Sequence, residues 1–439
     1  MRSLCPWLTG WILLPWCLLS ACGHRRDPPD SIVRDYIRLA VALGERDPDS
    51  LDYYFGPPDW VADIRAKPTP FRQIKADALS LANRLHGARE NEKSPRGDFL
   101  IGQLQAIAAR VDLLTGIHTS FDQESQAFFG IQAPKTLNRK HFAEVRAELD
   151  RLLPGPGSLG ARYANFEQRF LIPPEQLPAV IERAMAGCRA RTLEHLTLPP
   201  GEGVTIEYVA NRPWDGYSTY QGRFRSVIRI NTDFALTVGR ALDLVCHEGY
   251  PGHHVYNSLQ DEQEVQRDGR IELMVQPVFS PQSFVSESAA TVAPDIAFPE
   301  SERVAFERNE LFPLAKLDQS AAEKYVHVEH LVGELEGAEV PIVREYLDGN
   351  LEFARAAEEL EQETLMYQGE ATLKYLNEYR TYMVTYTLGH AIWKDCFEVP
   401  EARRETDQDR WNRYRGQILA GTIPKFCDSA KSAGDHRNQ

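Results

Sequence analysis

Residues 246–254 read Cys-His-Glu-Gly-Tyr-Pro-Gly-His-His, with three histidines and one carboxylate in eight residues around a Pro-Gly break. Imidazole nitrogens and carboxylate oxygens are what zinc takes at catalytic sites, where three protein groups leave one position open for water. In the H-E-x-x-H arrangement two histidines lie one helical turn apart and the Glu acts on that water. Here His247-Glu248 is intact, but the next histidines are His253 and His254. On an undistorted helix seven residues span about 10.5 Å. His254 would then share the face of His247 but at a long reach for one ion. Pro251 removes a helix hydrogen bond, and Gly252 permits unusual dihedrals. If Pro251-Gly252 is accommodated as a bulge, His253 takes the second ligand position. His253 is favoured and His254 is the alternative; the other would then support the ligand or bind substrate.

These residues need elements to hold them. Arg240-Ala-Leu-Asp-Leu-Val245 leads into the segment as an apolar-rich helix. Helical periodicity also marks Ile32–Leu43, Phe71–Leu85, Phe99–Leu114, His141–Leu153 and Pro174–Leu196, with Thr119 or Ser120 capping a further short helix. Strand patterns occur at Val204–Val209 and Arg223–Ile230, with 211–217 read as a turn region between them. The expected fold class is mainly α: a large helical catalytic unit with a small antiparallel sheet beside the metal-binding helix. An N-terminal helical portion, 31–200, precedes a catalytic portion, 201–439, the two forming one structural unit.

The chain of 439 residues carries a net charge of -14 and has no basic block, which argues against nucleic-acid binding. Its first residues differ from the rest. Arg2 is the only charge before His24, and the apolar run Pro6–Leu19 is too short to span a bilayer. It ends in Leu19-Ser20-Ala21-Cys22, which resembles a bacterial lipoprotein signal. That resemblance implies removal of residues 1–21, lipidation of Cys22, a tether over 22–30 and a membrane-anchored chain of 418 residues. Gly23 after the cysteine suggests the outer membrane, facing the periplasm. Cys188, Cys246, Cys396 and Cys427 remain, and their spacing suggests no thiolate zinc site. One disulfide is compatible with an oxidising compartment, with the pairing open.

His247-Glu248-x-x-Pro251-Gly252-His253-His254 resembles the H-E-x-x-P-G-H-H signature of a bacterial family of unknown function, regarded as distantly related to gluzincin zinc metallopeptidases. Further segments resemble the same family: Trp214–Gly222, Ser226–Asp233, Ser280–Ala289, Leu311–Ala315 and Tyr379–Gly389. The resemblance implies a gluzincin-like fold and one Zn2+ per chain. Its third ligand comes from a later helix, which matches Glu287; Glu272 is the rival, and Ser288 stands where the family carries Gly. Glu248 would be the general base. Tyr386, then Tyr382, would stabilise the oxyanion, with His390 a weaker candidate and Arg380 a possible holder of a substrate carboxylate. Tyr217 and Tyr220, beside the strand that enters the metal helix, would line a peptide cleft.

Other signals carry little. Gly155-x-Gly157-x-x-Gly160 follows a helix and contains Pro156, so it does not read as a dinucleotide loop. His327 and His330 read as a solvated or packed face, and 358–363 as a solvated acidic one. The sequence therefore predicts a lipid-anchored, zinc-dependent hydrolase of the cell envelope, acting on peptides. A metal-dependent amidohydrolase on a non-peptide amide and a non-catalytic binding module are the alternatives.

Overall fold

Ile32, Tyr36, Leu39, Ala40 and Leu43 recur at helical spacing, and α1 (Asp30–Gly44) buries all five. The same logic forms α2 (Phe71–Arg89) and α3 (Pro95–Leu114). α3 starts where Ser94 Oγ accepts the Gly97 amide and Pro95 occupies the first turn. α4 (Phe121–Phe129) opens on a Ser120/Gln123 capping box and ends at Gly130 with φ 71°. The computed structural model describes residues 30–89, 94–133, 139–212, 214–366, 368–397 and 406–421. The expected signal 1–21, Cys22 with its tether up to residue 29, Cys427 and the side chain of Cys396 lie outside the described residues.

Helices dominate the described chain. α1, α2 and α3 bury one apolar core, which also takes in Val275. The largest core joins residues from Val145 to Leu196 with residues from Ile228 to Ile418. It is crossed by α5 (Leu177–His195), α6 (Val238–Glu248), α7 (His253–Gln260), α8 (Pro281–Thr291), α9 (Val384–Phe397) and α10 (Asp407–Ala420). A disulfide between Cys188 on α5 and Cys246 on α6 ties two of these helices, with the Cα atoms 5.6 Å apart. Among the described residues no helix is long and apolar enough to cross a membrane.

Among the described residues five short strands make two sheets: β1 (Leu51–Tyr54), β2 (Gly203–Val209), β3 (Gly216–Tyr220), β4 (Arg225–Asn231) and β5 (Val275–Pro277). β1 pairs antiparallel with β5. In the second sheet β3 pairs antiparallel with β4, while β2 lies parallel to β4 on its other edge. This sheet is thus mixed. Part of the segment read as a turn holds the start of β3, so the chain reverses twice between β2 and β4 and returns in the direction of β2. β4, the central strand, is mostly buried and leads through Thr237, which caps α6, into the segment that carries the candidate metal ligands.

A candidate metal centre between two helix ends

α6 stops at Glu248. Tyr250-Pro251 is a cis peptide, and α7 begins at His253. The element is two helices with a sharp break rather than one bulged helix. Gly252 permits the break: a Cβ there would fall 2.5 Å from the Cys246 carbonyl and closer still to that of His247. The backbone doubles back onto the end of α6, and the Gly252 amide donates to Cys246 O at 3.0 Å. That turn presents the His253 ring to His247, with ring centroids 4.8 Å apart.

α8 supplies Glu287 to the same point. Its carboxylate oxygens lie 3.5 Å from His247 Nε2 and 3.4 Å from His253 Nε2. One ligand atom from each of His247, His253 and Glu287 falls within 4.8 Å of the others. The far side of the His253 ring is occupied, since Nδ1 lies 3.2 Å from Ser286 Oγ. Such a contact holds the ring with Nε2 toward the cluster. Tyr382 donates to Glu287 Oε1 at 2.9 Å, whereas Oε2 is buried with no hydrogen-bond partner. Burial disfavours charge on His253, yet Glu287, Glu248 and Asp52 outweigh it and push the imidazole up to about 9. Burial likewise opposes charge on Glu287, but the two histidines hold it well below the usual carboxylate range.

Glu248 is buried beside the cluster, and no hydrogen-bond partner for its carboxylate is found among the described residues. Burial raises its pKa, against the opposing pull of His247 and His253. Tyr382 sits in a short turn, Arg380–Met383, and Tyr386 in the first turn of α9, with their rings 5.7 Å apart. The Tyr386 ring lies 6.4 Å from that of His247. Tyr217 donates to Asp52 Oδ1 at 2.5 Å, and both interact electrostatically with Glu248 and Glu287.

Other sequence candidates are placed elsewhere. His254 is fully buried on another face of α7, where Nδ1 meets Ser226 Oγ at 2.9 Å and Nε2 meets Glu202 at 3.0 Å. Burial alone would raise Glu202, but bonds from His254, Tyr250 and Arg189 bring it to about 2. Glu272 is buried in a bidentate pair with Arg96, at 2.8 and 2.7 Å. Arg380 is engaged by Glu124 of α4 at 2.7 Å, so its guanidinium is committed within the protein. Tyr220 is buried, bonded to Asp261 and packed on Tyr53 and Phe55. His390 pairs with Asp295 and Glu336. His327 and His330 pair with surface glutamates.

Ser288 is accommodated by its neighbour. It is buried against Gly389 of α9, and its Oγ donates to Phe284 O and to Thr385 O. The glycine of this helix contact lies on the opposite helix. Sequence reasoning passed over Asp52, Ser286 and Glu202. Asp52 and Glu202 carry no local motif, and their partners lie 165 and 52 residues away.

No family model matches the chain, and no curated protein matches it. Among solved structures it is similar to "the putative lipoprotein from Colwellia psychrerythraea", with a TM-score of 0.51 and 15% identity, covering 94% of this chain and 77% of that one. At that identity the likeness concerns the fold.

Proposed function

We propose that this chain is a zinc-dependent hydrolase of the peptidase type, resembling gluzincins, anchored to a bacterial cell envelope through lipid on Cys22. The observation that carries the reading is the convergence of two imidazole nitrogens and a carboxylate, with Glu287 Oε2 buried and facing His247 Nε2 at 3.5 Å without a well-formed hydrogen bond. A cation there satisfies that oxygen, and two His with one carboxylate is a ligand set of catalytic zinc sites. His247, His253 and Glu287 would hold the ion. When bound, Zn2+ supplies Lewis acidity and lowers the pKa of a water molecule. Glu248, buried and unbonded, receives the proton of the attacking water and delivers it to the leaving nitrogen. Tyr382 is bonded to Glu287 and fixes that ligand. Tyr386, whose ring lies beside that of His247, would donate its hydroxyl to the developing oxyanion. The Leu-Ser-Ala-Cys segment supports the anchor, and the neighbour in Colwellia psychrerythraea is itself named as a lipoprotein.

The test combines metal analysis with digestion of a broad peptide library. One zinc per chain and cleavage that Glu248→Gln abolishes without losing zinc are expected. Zinc with turnover of non-peptide amides alone would favour the amidohydrolase. A protein that binds no zinc would favour the binding module.

A further inference from the structure

Asp52 and Gln276 come from the two strands of the small sheet formed by β1 and β5; Asp52 is far in sequence from the metal segment, and Gln276 lies between His254 and Glu287. Asp52 Oδ1 accepts from Tyr217 and its Oδ2 accepts from Gln276 Nε2 at 2.9 Å. Among the described residues no arginine or lysine pairs with this carboxylate. Its charged neighbours are His253, Glu287 and Glu248, so it shares the electrostatic environment of the metal cluster. Gln276 is 1% exposed, yet its Oε1 is buried with no donor. That orphaned acceptor belongs to the same amide whose Nε2 bonds Asp52. The spot therefore offers a carboxylate with free lone pairs and an unsatisfied carbonyl, and its two named donors, Tyr217 and Gln276 Nε2, are already spent on Asp52. A protonated amine supplies a positive charge and up to three N–H donors at one atom, which this set can absorb.

We propose that Asp52, with Gln276 and Tyr217 holding it, receives a substrate ammonium group, so that the site selects peptides with a free amine next to the bond presented to the metal centre. This rests on the hydrolase reading for the cleavage step, but the amine preference itself is a binding property. The ammonium could be a terminal α-amine or a lysine side chain; the chemistry is shared.

The test measures binding, by calorimetry on the zinc-loaded full chain, of three probes: Leu-Ala-Ala-amide, its N-acetyl twin, and N-acetyl-Lys-Ala-Ala-amide. The free-amine probe is expected to bind at least about tenfold tighter than its acetylated twin. Asp52→Asn should erase that ratio while retaining one zinc per chain and the wild-type melting temperature. Tight binding of the third probe would assign the ammonium to a side chain. Equal binding of the first two, with the third no tighter, or no binding of any, overturns the proposal. A free-amine preference without hydrolysis would sustain it while refuting the hydrolase reading.

Discussion

Gly389→Ala tests how the helix carrying Glu287 is held. A Cβ on Gly389 would fall 2.7 Å from Ser288 Cβ and nearer to Ser288 Oγ. Carbon atoms settle at about 3.5–4.0 Å. Rotating Ser288 about χ1 moves its oxygen but leaves its Cβ in place, so α8 and α9 must shift by nearly an ångström. Overpacking of this kind costs roughly 1–3 kcal/mol, and Ala returns up to about 1 kcal/mol over Gly in a helix. A net loss of about 2 kcal/mol is expected from the close carbon contact at the upper end of that range. Ser288→Gly removes both close atoms and leaves Ser288 Cα 3.2 Å from the new methyl. The double variant should therefore recover most of the clash, a coupling of about 2 kcal/mol in a double-mutant cycle. Urea denaturation of the four proteins measures it. Because Glu287 precedes Ser288, Gly389→Ala should also weaken zinc binding roughly tenfold, in the range of changes to groups supporting a ligand. A Gly389→Ala protein as stable as wild type, or a double variant carrying the sum of both losses, would refute this packing argument.

Four further outcomes follow from the same geometry. His254→Ala should keep one zinc per chain while losing about 2 kcal/mol of stability, because Ser226 and Glu202 each lose a buried partner; loss of zinc here but not in His253→Ala would reverse the ligand choice. Glu287→Gln should weaken zinc binding in a competition titration, whereas Glu272→Gln should spare it and lower stability by breaking the Arg96 pair. Removing Cys188 and Cys246 together should cost about 4 kcal/mol, from the 58 residues that separate them; urea denaturation would contradict this if the midpoint did not move. Burial and the nearby Glu167 raise Glu329 to about 8, so its ionisation weakens the folded state as pH climbs past the ordinary carboxyl range toward 8. Glu329→Gln should then melt at least about 2 °C above wild type at pH 9, with no such gain at pH 4, where both side chains are neutral.

Long amphipathic helices were the legible part of the fold. Ile32–Leu43 carries three turns of apolar periodicity, enough to place α1 within two residues. β1 and β5 are only four and three residues long, too short for alternation to register, and their pairing joins positions more than 220 residues apart. β3 escaped notice because its first residues, Gly216 and Tyr217, close a polar Trp-Asp-Gly stretch that reads as a turn. In the site, local spacing set His247, Glu248 and the two later histidines as candidates. Choosing between the histidines required knowing that the chain breaks at Gly249–Gly252, and that depends on carbonyls one turn earlier. Glu287 and Glu272 look alike in sequence; Arg96, 176 residues away, together with Arg270 makes Glu272 a paired structural carboxylate, whereas Glu287 faces two imidazoles. Asp52 had no local signal, since its meaning resides wholly in Tyr217 and Gln276.

The disulfide ends one residue before His247, and both of its sulfurs are fully buried. This governs how thiol reagents act on the protein. Dithiothreitol both chelates zinc and reduces disulfides, and with the proposed zinc bound its two targets here would be neighbours in the chain. They differ in access: the buried bridge opens to a thiolate only when α5 and α6 part, whereas ion exchange requires no such opening. Rapid loss of zinc that added metal reverses reports chelation. Slow loss that metal does not restore, and that a phosphine reductant reproduces, reports the bridge.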